Sequence, residues 1–228
     1  MRYTILLADA DGTLFDFHAG ERLAVSTAFQ AFHIPATPEN VALYQRINQS
    51  HWLRLERGET TQAKLRVERF RDFLNAIGSP CDPEAVSLRF VKELGLQRIL
   101  IPGAEAFCAQ VAARMPIYLV TNGISQVQRS RFERCPLSPW LSDILISEEL
   151  GVSKPDPAMV LEGLRRAGVK PENAVLLGDS VTADIPAANR AGVTSILFTN
   201  GEAPPEGHTA DYVAATLEDA RRIILEGA

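Results

Sequence analysis

Cysteine, long apolar runs and excess positive charge are scarce or missing in this sequence of 228 residues. The three cysteines, Cys81, Cys108 and Cys135, lie far apart without C-x-x-C spacing, so neither a disulfide framework nor a zinc site is predicted. No stretch reaches membrane-spanning length, and Asp9 breaks the N-terminal apolar run too early for a signal peptide. The net charge of −5 argues against a nucleic-acid backbone as partner. We therefore expect a cytoplasmic protein with reduced thiols and no membrane or nucleic-acid partner.

What is present is the composition of a globular chain, with 46% hydrophobic and 22% charged residues. The length suffices for one α/β core plus a small accessory domain. Short apolar runs alternate with helical patterns, which predicts parallel βα units and an α/β fold with a doubly wound parallel sheet. The predicted strands are about 3–8, 117–121, 144–147, 174–178, 194–198 and 211–215.

A long segment without any strand pattern interrupts this alternation between residues 17 and 97. Its apolar residues recur at steps of three and four, which indicates amphipathic helices. Proline after a capping residue marks two of the helix starts, because proline fits the first helical turn. Four helices are predicted: near 21–32, after Thr37, after Gly58 and after Asp82.

The position of this helical segment predicts two domains. We expect a catalytic core formed by residues 1–16 and 98–228, with an inserted α-helical cap domain over 17–97. The linkers around Asp16 and residues 100–102 would lie side by side and form a hinge.

The segment Asp9-Ala10-Asp11-Gly12-Thr13 directly follows the first predicted strand. Residues i and i+2 of an extended chain point to the same side, and ligands bind at the carboxyl edge of open α/β sheets. Taken alone, the segment is as compatible with an ordinary turn as with an active site. A calcium loop is excluded because it needs Gly and Glu where Leu14 and Gly20 stand. Partners elsewhere in the chain would instead indicate a metal site, a nucleophile or both.

Three further segments supply such partners. They are Thr121-Asn122-Gly123 after the second strand, Lys154 between Ser153 and Pro155, and 178–184 after the fourth strand, which contains Asp179 and Asp184. Singly, each is typical of a turn, a solvated loop lysine or a helix N-cap. Their shared placement at strand ends or before helices, in one order, makes coincidence a poor explanation.

With these four segments, the sequence resembles the haloacid dehalogenase superfamily of aspartate-nucleophile phosphatases. The resemblance covers essentially the whole chain, because the intervals also fit and the long first interval matches an inserted cap. It implies Mg²⁺ held by the Asp9 side chain, the Asp11 backbone carbonyl and Asp179, with Asp184 supporting the metal or Lys154. A hard cation also suits the charges, since a dianionic phosphomonoester would be repelled by four carboxylates alone.

The resemblance also implies a role for each residue of the reaction. Asp9 would attack phosphorus and form an aspartyl-phosphate. Asp11 would act as general acid and then as general base. Thr121 and the backbone N–H of Asn122 would donate hydrogen bonds to the phosphoryl oxygens, and Lys154 would help keep Asp9 ionised.

Two other reactions of the superfamily are disfavoured by particular residues. Dehalogenases have no leaving alcohol to protonate and usually lack a second acid, so Asp11 favours phosphoryl transfer. Phosphonate hydrolysis in a relative would need a cap lysine, and Lys64 and Lys92 lie among charged residues, as expected of solvated helix faces.

A narrower similarity concerns the substrate. Residues 11–17, 47–52, 119–123 and 146–155 resemble the pyrimidine 5′-nucleotidases of the YjjG type, which implies a small phosphomonoester, a nucleoside monophosphate, as substrate. Asn48 and Trp52 share one helix face and Phe17 lies on the adjoining linker, so they are candidates for binding a base, with simple packing as the alternative. A sugar-phosphate or phosphoglycolate-type phosphatase, or a phosphomutase, would share every core motif.

Overall fold

The computed structural model describes Arg2–Gly227, which divides into two compact units. The core unit contains the described chain through Phe17, residues 99–125 and everything from Phe132 onward. The helical unit contains residues 18–98 and 126–131. Among the described residues, no helix is both long enough and apolar enough to cross a membrane.

The core unit is built on a six-stranded sheet in which every paired strand is parallel, and the predicted α/β class is confirmed. The strand order is β3-β2-β1-β4-β5-β6. Buried apolar clusters cover both faces, as parallel sheets require. The strands are β1 (Ile5–Ala8), β2 (Ile117–Thr121), β3 (Asp143–Ile146), β4 (Ala174–Gly178), β5 (Thr194–Phe198) and β6 (Tyr212–Ala214).

The register of the central strands aligns the predicted motifs. Ala8 at the end of β1 pairs with Leu119 of β2 and with Leu177 of β4. Consequently Asp9 leaves the sheet at the same edge as the last residues of both neighbours. This edge is the carboxyl edge, where open α/β sheets bind ligands.

In the second part of the described chain, the helix Ala158–Ala167 buries the apolar residues Met159, Val160 and Leu164. This part contains six α-helices. They are α5 (Ala104–Ala112), α6 (Ser125–Phe132), α7 (Ser147–Leu150), α8 (Ala158–Ala167), α9 (Asp184–Ala191) and α10 (Leu217–Glu226).

The helical unit contains the four helices that the apolar spacing predicts. Thr37, Thr61 and Asp82 cap three of them, each side chain accepting a backbone N–H of the first turn. The first helix begins earlier than expected, so Phe17 lies in its first turn and not on a linker. Buried aromatic rings fill the interior: Phe29, Tyr44, Phe70, Phe73 and Phe90. The helices are α1 (Phe17–Ala31), α2 (Pro38–Glu56), α3 (Gln62–Ala76) and α4 (Pro83–Gly95).

Most of α6 groups with the helical unit, whereas the sequence analysis assigned this segment to the core. Gly95 lies so close to Ser130 that an added Cβ would come 3.2 Å from the Ser130 Cβ. The Arg98 guanidinium donates to the backbone carbonyls of Ser130 and Arg131 at 3.2 and 3.3 Å. These contacts join segments distant in sequence, which local periodicity does not reveal.

The chain leaves and re-enters the core unit at one place. The Asp16 N–H donates to the Ile99 carbonyl at 2.9 Å, and Phe15 and Leu100 form an isolated antiparallel bridge. The two linkers therefore lie side by side.

Candidate active site

Asp9 lies directly beyond the last residue of β1 and is buried. Its N–H donates to the Leu177 carbonyl at 2.8 Å, which continues the pairing of β1 with β4 by one step. The chain then turns sharply at Gly12, whose φ of 90° favours glycine. Leu14 and Phe15 both donate backbone N–H groups to the Ala10 carbonyl and close the turn. The partly exposed Asp11 is thereby held next to Asp9 at the sheet edge.

Lys154 is almost completely buried, with 1% of its surface exposed. Its Nζ donates to Asp9 Oδ1 at 2.6 Å, to Asp184 Oδ1 at 2.6 Å and to the Val120 carbonyl at 2.5 Å. An ammonium group has three hydrogens, so each has an acceptor. Burial alone would lower the pKa of Lys154, but Asp184 and Asp9 outweigh it and raise that pKa. The lysine therefore stays charged at neutral pH.

Asp184 is the first residue of α9 and is also buried. Its Oδ1 accepts from Lys154, and its Oδ2 accepts from the Ser180 N–H at 3.0 Å. Both oxygens thus have protein partners, which suits a supporting role.

Asp179 lies beyond β4, beside the turn that follows β1. Its Oδ1 accepts the Thr13 hydroxyl at 2.9 Å. The carboxylate also lies against the backbone of Gly12, where an added Cβ would come 2.4 Å from Oδ2. Glycine at position 12 therefore allows Asp179 to approach the turn that follows β1.

The electrostatics of the site show an excess of negative charge. The pKa of Asp9 is raised well above its usual value, mainly by burial and further by Asp184 and Asp179, against the opposing effect of Lys154. Burial of the carboxyl and the charge of Asp184 raise the pKa of Asp179 to about 7, although the residue keeps an exposed side where solvent moderates the shift. The single positive charge of Lys154 does not balance the negative charge of three carboxylates, so the site needs a second cation.

The donor set fits a hard divalent cation. Asp9, Asp179 and Asp184 each offer a carboxylate oxygen, and these three atoms lie within 4.8 Å of one another. Carboxylate oxygens are the ligands that Mg²⁺ accepts in proteins. The expected set of Asp9, the Asp11 carbonyl and Asp179 stays a prediction, since the side chains alone do not test a backbone ligand.

Thr121 is the last residue of β2, and Asn122 follows it at the same edge. Thr121 is buried, and its Oγ1 accepts the Gly123 N–H at 3.1 Å, so the hydroxyl hydrogen can point to another acceptor. The Asn122 side chain makes two bonds to the backbone of Lys154, 32 residues later in the chain. The sequence contained no signal for this pairing.

The three candidate substrate-binding residues lie in different surroundings. Asn48 is buried in the helical unit, where its Nδ2 donates to Glu21 Oε1 at 2.6 Å and its Oδ1 accepts from Arg69 Nη1 at 2.8 Å. Trp52, one turn later in α2, is half-buried, and Phe17 belongs to the core unit. Buried Glu21 and Arg69 were not anticipated, because isolated charges on amphipathic helices usually face solvent. Binding of a base by these three residues stays a prediction.

Comparison with known proteins identifies the family. A family model of haloacid dehalogenase-like hydrolases matches residues 3–192. The chain belongs to this family. Within it, the chain is 33% identical to the HAD-hydrolase YfnB of Bacillus subtilis over 195 residues, covering 84% of this chain and 82% of YfnB.

Two further relatives of the family carry a substrate in their names. The pyrimidine 5′-nucleotidase PynA of Streptococcus pneumoniae is 31% identical, over 87% of this chain and 84% of PynA. The pyrimidine 5′-nucleotidase YjjG of Escherichia coli is 27% identical, over 99% of this chain and 100% of YjjG. A crystal structure of YfnB bound to magnesium superposes with a TM-score of 0.91 at 31% identity, covering 98% of this chain and 99% of that one. The chain is thus a hydrolase of this family, with nucleotidase relatives.

Proposed function

We propose that this protein is a Mg²⁺-dependent phosphomonoester hydrolase that acts through an aspartyl-phosphate on Asp9. The observation that carries the proposal is the buried Lys154 ammonium, which holds Asp9 and Asp184 together beside Asp179 and Asp11. Mg²⁺, held by Asp9, the Asp11 carbonyl and Asp179, would neutralise these carboxylates and the incoming phosphate.

In the proposed reaction, each residue at the carboxyl edge of the sheet has a role. The Asp9 carboxylate attacks phosphorus, the bond from phosphorus to the ester oxygen breaks, and Asp11 gives that oxygen its proton. Asp11 then takes a proton from water, whose oxygen attacks phosphorus and releases inorganic phosphate and free Asp9. Thr121 and the Asn122 N–H stabilise the phosphoryl oxygens.

The substrate class that we propose is nucleoside 5′-monophosphates, with pyrimidines preferred. Support comes from PynA and YjjG, which are named pyrimidine 5′-nucleotidases and match this chain over most of its length. A cytoplasmic location, expected from the reduced cysteines, belongs to the same proposal.

The experiment that tests this function is a phosphate-release screen with Mg²⁺ across nucleoside monophosphates, sugar phosphates, phosphoglycolate and p-nitrophenyl phosphate. We expect the highest kcat/KM for pyrimidine 5′-monophosphates. A higher kcat/KM for a sugar phosphate or phosphoglycolate than for every nucleotide would contradict the proposed substrate class but not the proposed hydrolase activity. No phosphate release from any ester would reject both.

A further inference from the structure

The side chain of Asn122 pairs with both backbone groups of one residue, Lys154. Its Nδ2 donates to the Lys154 carbonyl at 2.8 Å, and its Oδ1 accepts the Lys154 N–H at 2.8 Å. A neighbouring β-strand bonds a residue through the same two groups. Asn122 thus makes with Lys154 the two hydrogen bonds that a neighbouring strand would otherwise make.

The chain around Lys154 has few other means of fixing its backbone. The segment between α7 and α8 is irregular, and Pro155 and Pro157 have no N–H to donate. Other bonds hold it at other residues: from the Asp156 N–H to the Ser153 carbonyl, from the Ala158 N–H to Asp156 Oδ1 and from Arg190 Nη1 to the Pro155 carbonyl. None of these involves the backbone of Lys154 itself.

The strand that Asn122 follows, β2, also holds the other end of the lysine. Nζ donates to the carbonyl of Val120, two residues before Asn122. The Asn122 side chain, just after β2, therefore fixes the backbone of Lys154, and the Val120 carbonyl within β2 fixes its ammonium group. The remaining two ammonium hydrogens are then directed at Asp9 and Asp184.

We propose that the Asn122 side chain is a positioning residue, which fixes the backbone of Lys154 so that Nζ bridges Asp9 and Asp184. This role is separate from the one expected of the Asn122 backbone N–H, which any substitution except proline preserves. The activity readout below rests on the proposed function, whereas the labelling readout does not.

The test compares Asn122→Ala and Asn122→Asp with a matched control, Asn189→Ala. Asn122→Asp keeps the shape and an acceptor for the Lys154 N–H, but a carboxylate oxygen then faces the Lys154 carbonyl. Asn189 also links two segments of the core unit, donating to the Thr209 carbonyl at 2.9 Å and accepting from Ser195 Oγ at 3.0 Å, without contacting Lys154. For both Asn122 variants we expect kcat to fall about ten- to a hundredfold, as small misplacements of reacting groups do, with KM within about threefold. The control should keep its kcat.

The second readout is acylation of lysines by an amine-selective reagent, followed by peptide mass spectrometry. The chain has four lysines, and Lys64, Lys92 and Lys170 are exposed whereas Lys154 is buried, so the wild type should be labelled at the first three and protected at the fourth. Labelling of Lys154 relative to Lys170 should rise about tenfold or more in both Asn122 variants but not in Asn189→Ala.

The outcomes separate this proposal from the proposed function. A kcat within twofold of wild type, or Lys154 labelling equal to that of the control, overturns the positioning role. If the wild type hydrolyses no phosphomonoester, the proposed function fails, and the labelling comparison alone then decides the role of Asn122.

Discussion

The Cα of Gly178 lies directly against the carboxylate of Asp184. A Cβ added to Gly178 would come 2.3 Å from Asp184 Oδ2, far inside van der Waals contact. The carboxylate cannot move away cheaply, because Lys154 Nζ and the Ser180 N–H hold its two oxygens. A methyl group on residue 178 would therefore push Asp184 away from its ion pair with Lys154.

Gly178→Ala should accordingly lower kcat by about tenfold or more, since displacing Asp184 also displaces Lys154. The measurement is kcat on p-nitrophenyl phosphate, beside the melting temperature. Gly163→Ala in α8 is the matched control, because its added methyl group meets the flexible ends of two leucines, Leu7 at 3.3 Å and Leu145 at 3.8 Å. Equal kcat values in the two variants would contradict the argument.

Asp9→Asn should abolish turnover while the protein stays folded, because the amide keeps the shape of the side chain but cannot attack phosphorus. Phosphate release and the circular dichroism spectrum measure the two properties. Asp143→Asn, at the opposite edge of the sheet, controls for the loss of a carboxylate. Activity of even a few per cent, once mass spectrometry excludes deamidation to Asp, would show that Asp9 is not the nucleophile.

Removal of divalent cations by a chelator should abolish activity, and Mg²⁺ should restore it much better than Ca²⁺, whose larger and more flexible coordination misplaces the phosphoryl group. Asp179→Ala should sharply raise the Mg²⁺ concentration needed for half-maximal rate. A Mg²⁺ titration of each protein gives both results. Full activity in excess chelator would refute the mechanism.

Trp52→Ala should raise KM for nucleoside monophosphates and spare p-nitrophenyl phosphate, because binding energy remote from the reacting groups is lost. Stacking of a base on an aromatic ring is worth about 1–3 kcal/mol, so kcat/KM should fall roughly five- to a hundredfold. If both substrates are affected equally and the melting temperature falls, Trp52 serves only in packing.

Glu21 makes the stability of the protein depend on pH in a defined direction. Burial raises the pKa of this carboxyl, against bonds from Gln45 and Asn48 and the charge of Arg69. The folded state therefore binds the proton more tightly than the unfolded state, whose pKa is about 4.3. The stability of wild type relative to Glu21→Gln should fall as pH rises from that value through the folded pKa. Melting temperatures of both proteins between pH 4 and 8 measure it, and a flat or rising difference would disprove the assignment.

The features that could be predicted are those that depend on residues close together in the sequence. Strands β2, β4 and β5 have the predicted bounds, because each is an apolar run with turn residues after it. Contacts between distant segments were not predictable in this way. The two bonds between Asn122 and Lys154 join residues 32 positions apart, and nothing local marks them. Arg69 is buried, with its guanidinium 4.9 Å from the centre of the Phe90 ring, and the sequence analysis did not single it out.

The bridge between Phe15 and Leu100 has a consequence for how such chains can change. Because the chain leaves and re-enters the core unit at neighbouring backbone positions, residues 18–98 form a segment inserted into the chain that builds the sheet. Within Arg2–Gly227, all five strand pairings lie outside that inserted segment. An insertion or deletion between those points leaves the alignment of Asp9 with the ends of β2 and β4 untouched. The inserted segment can therefore change in length without a change in the strand pairing that places the reacting groups.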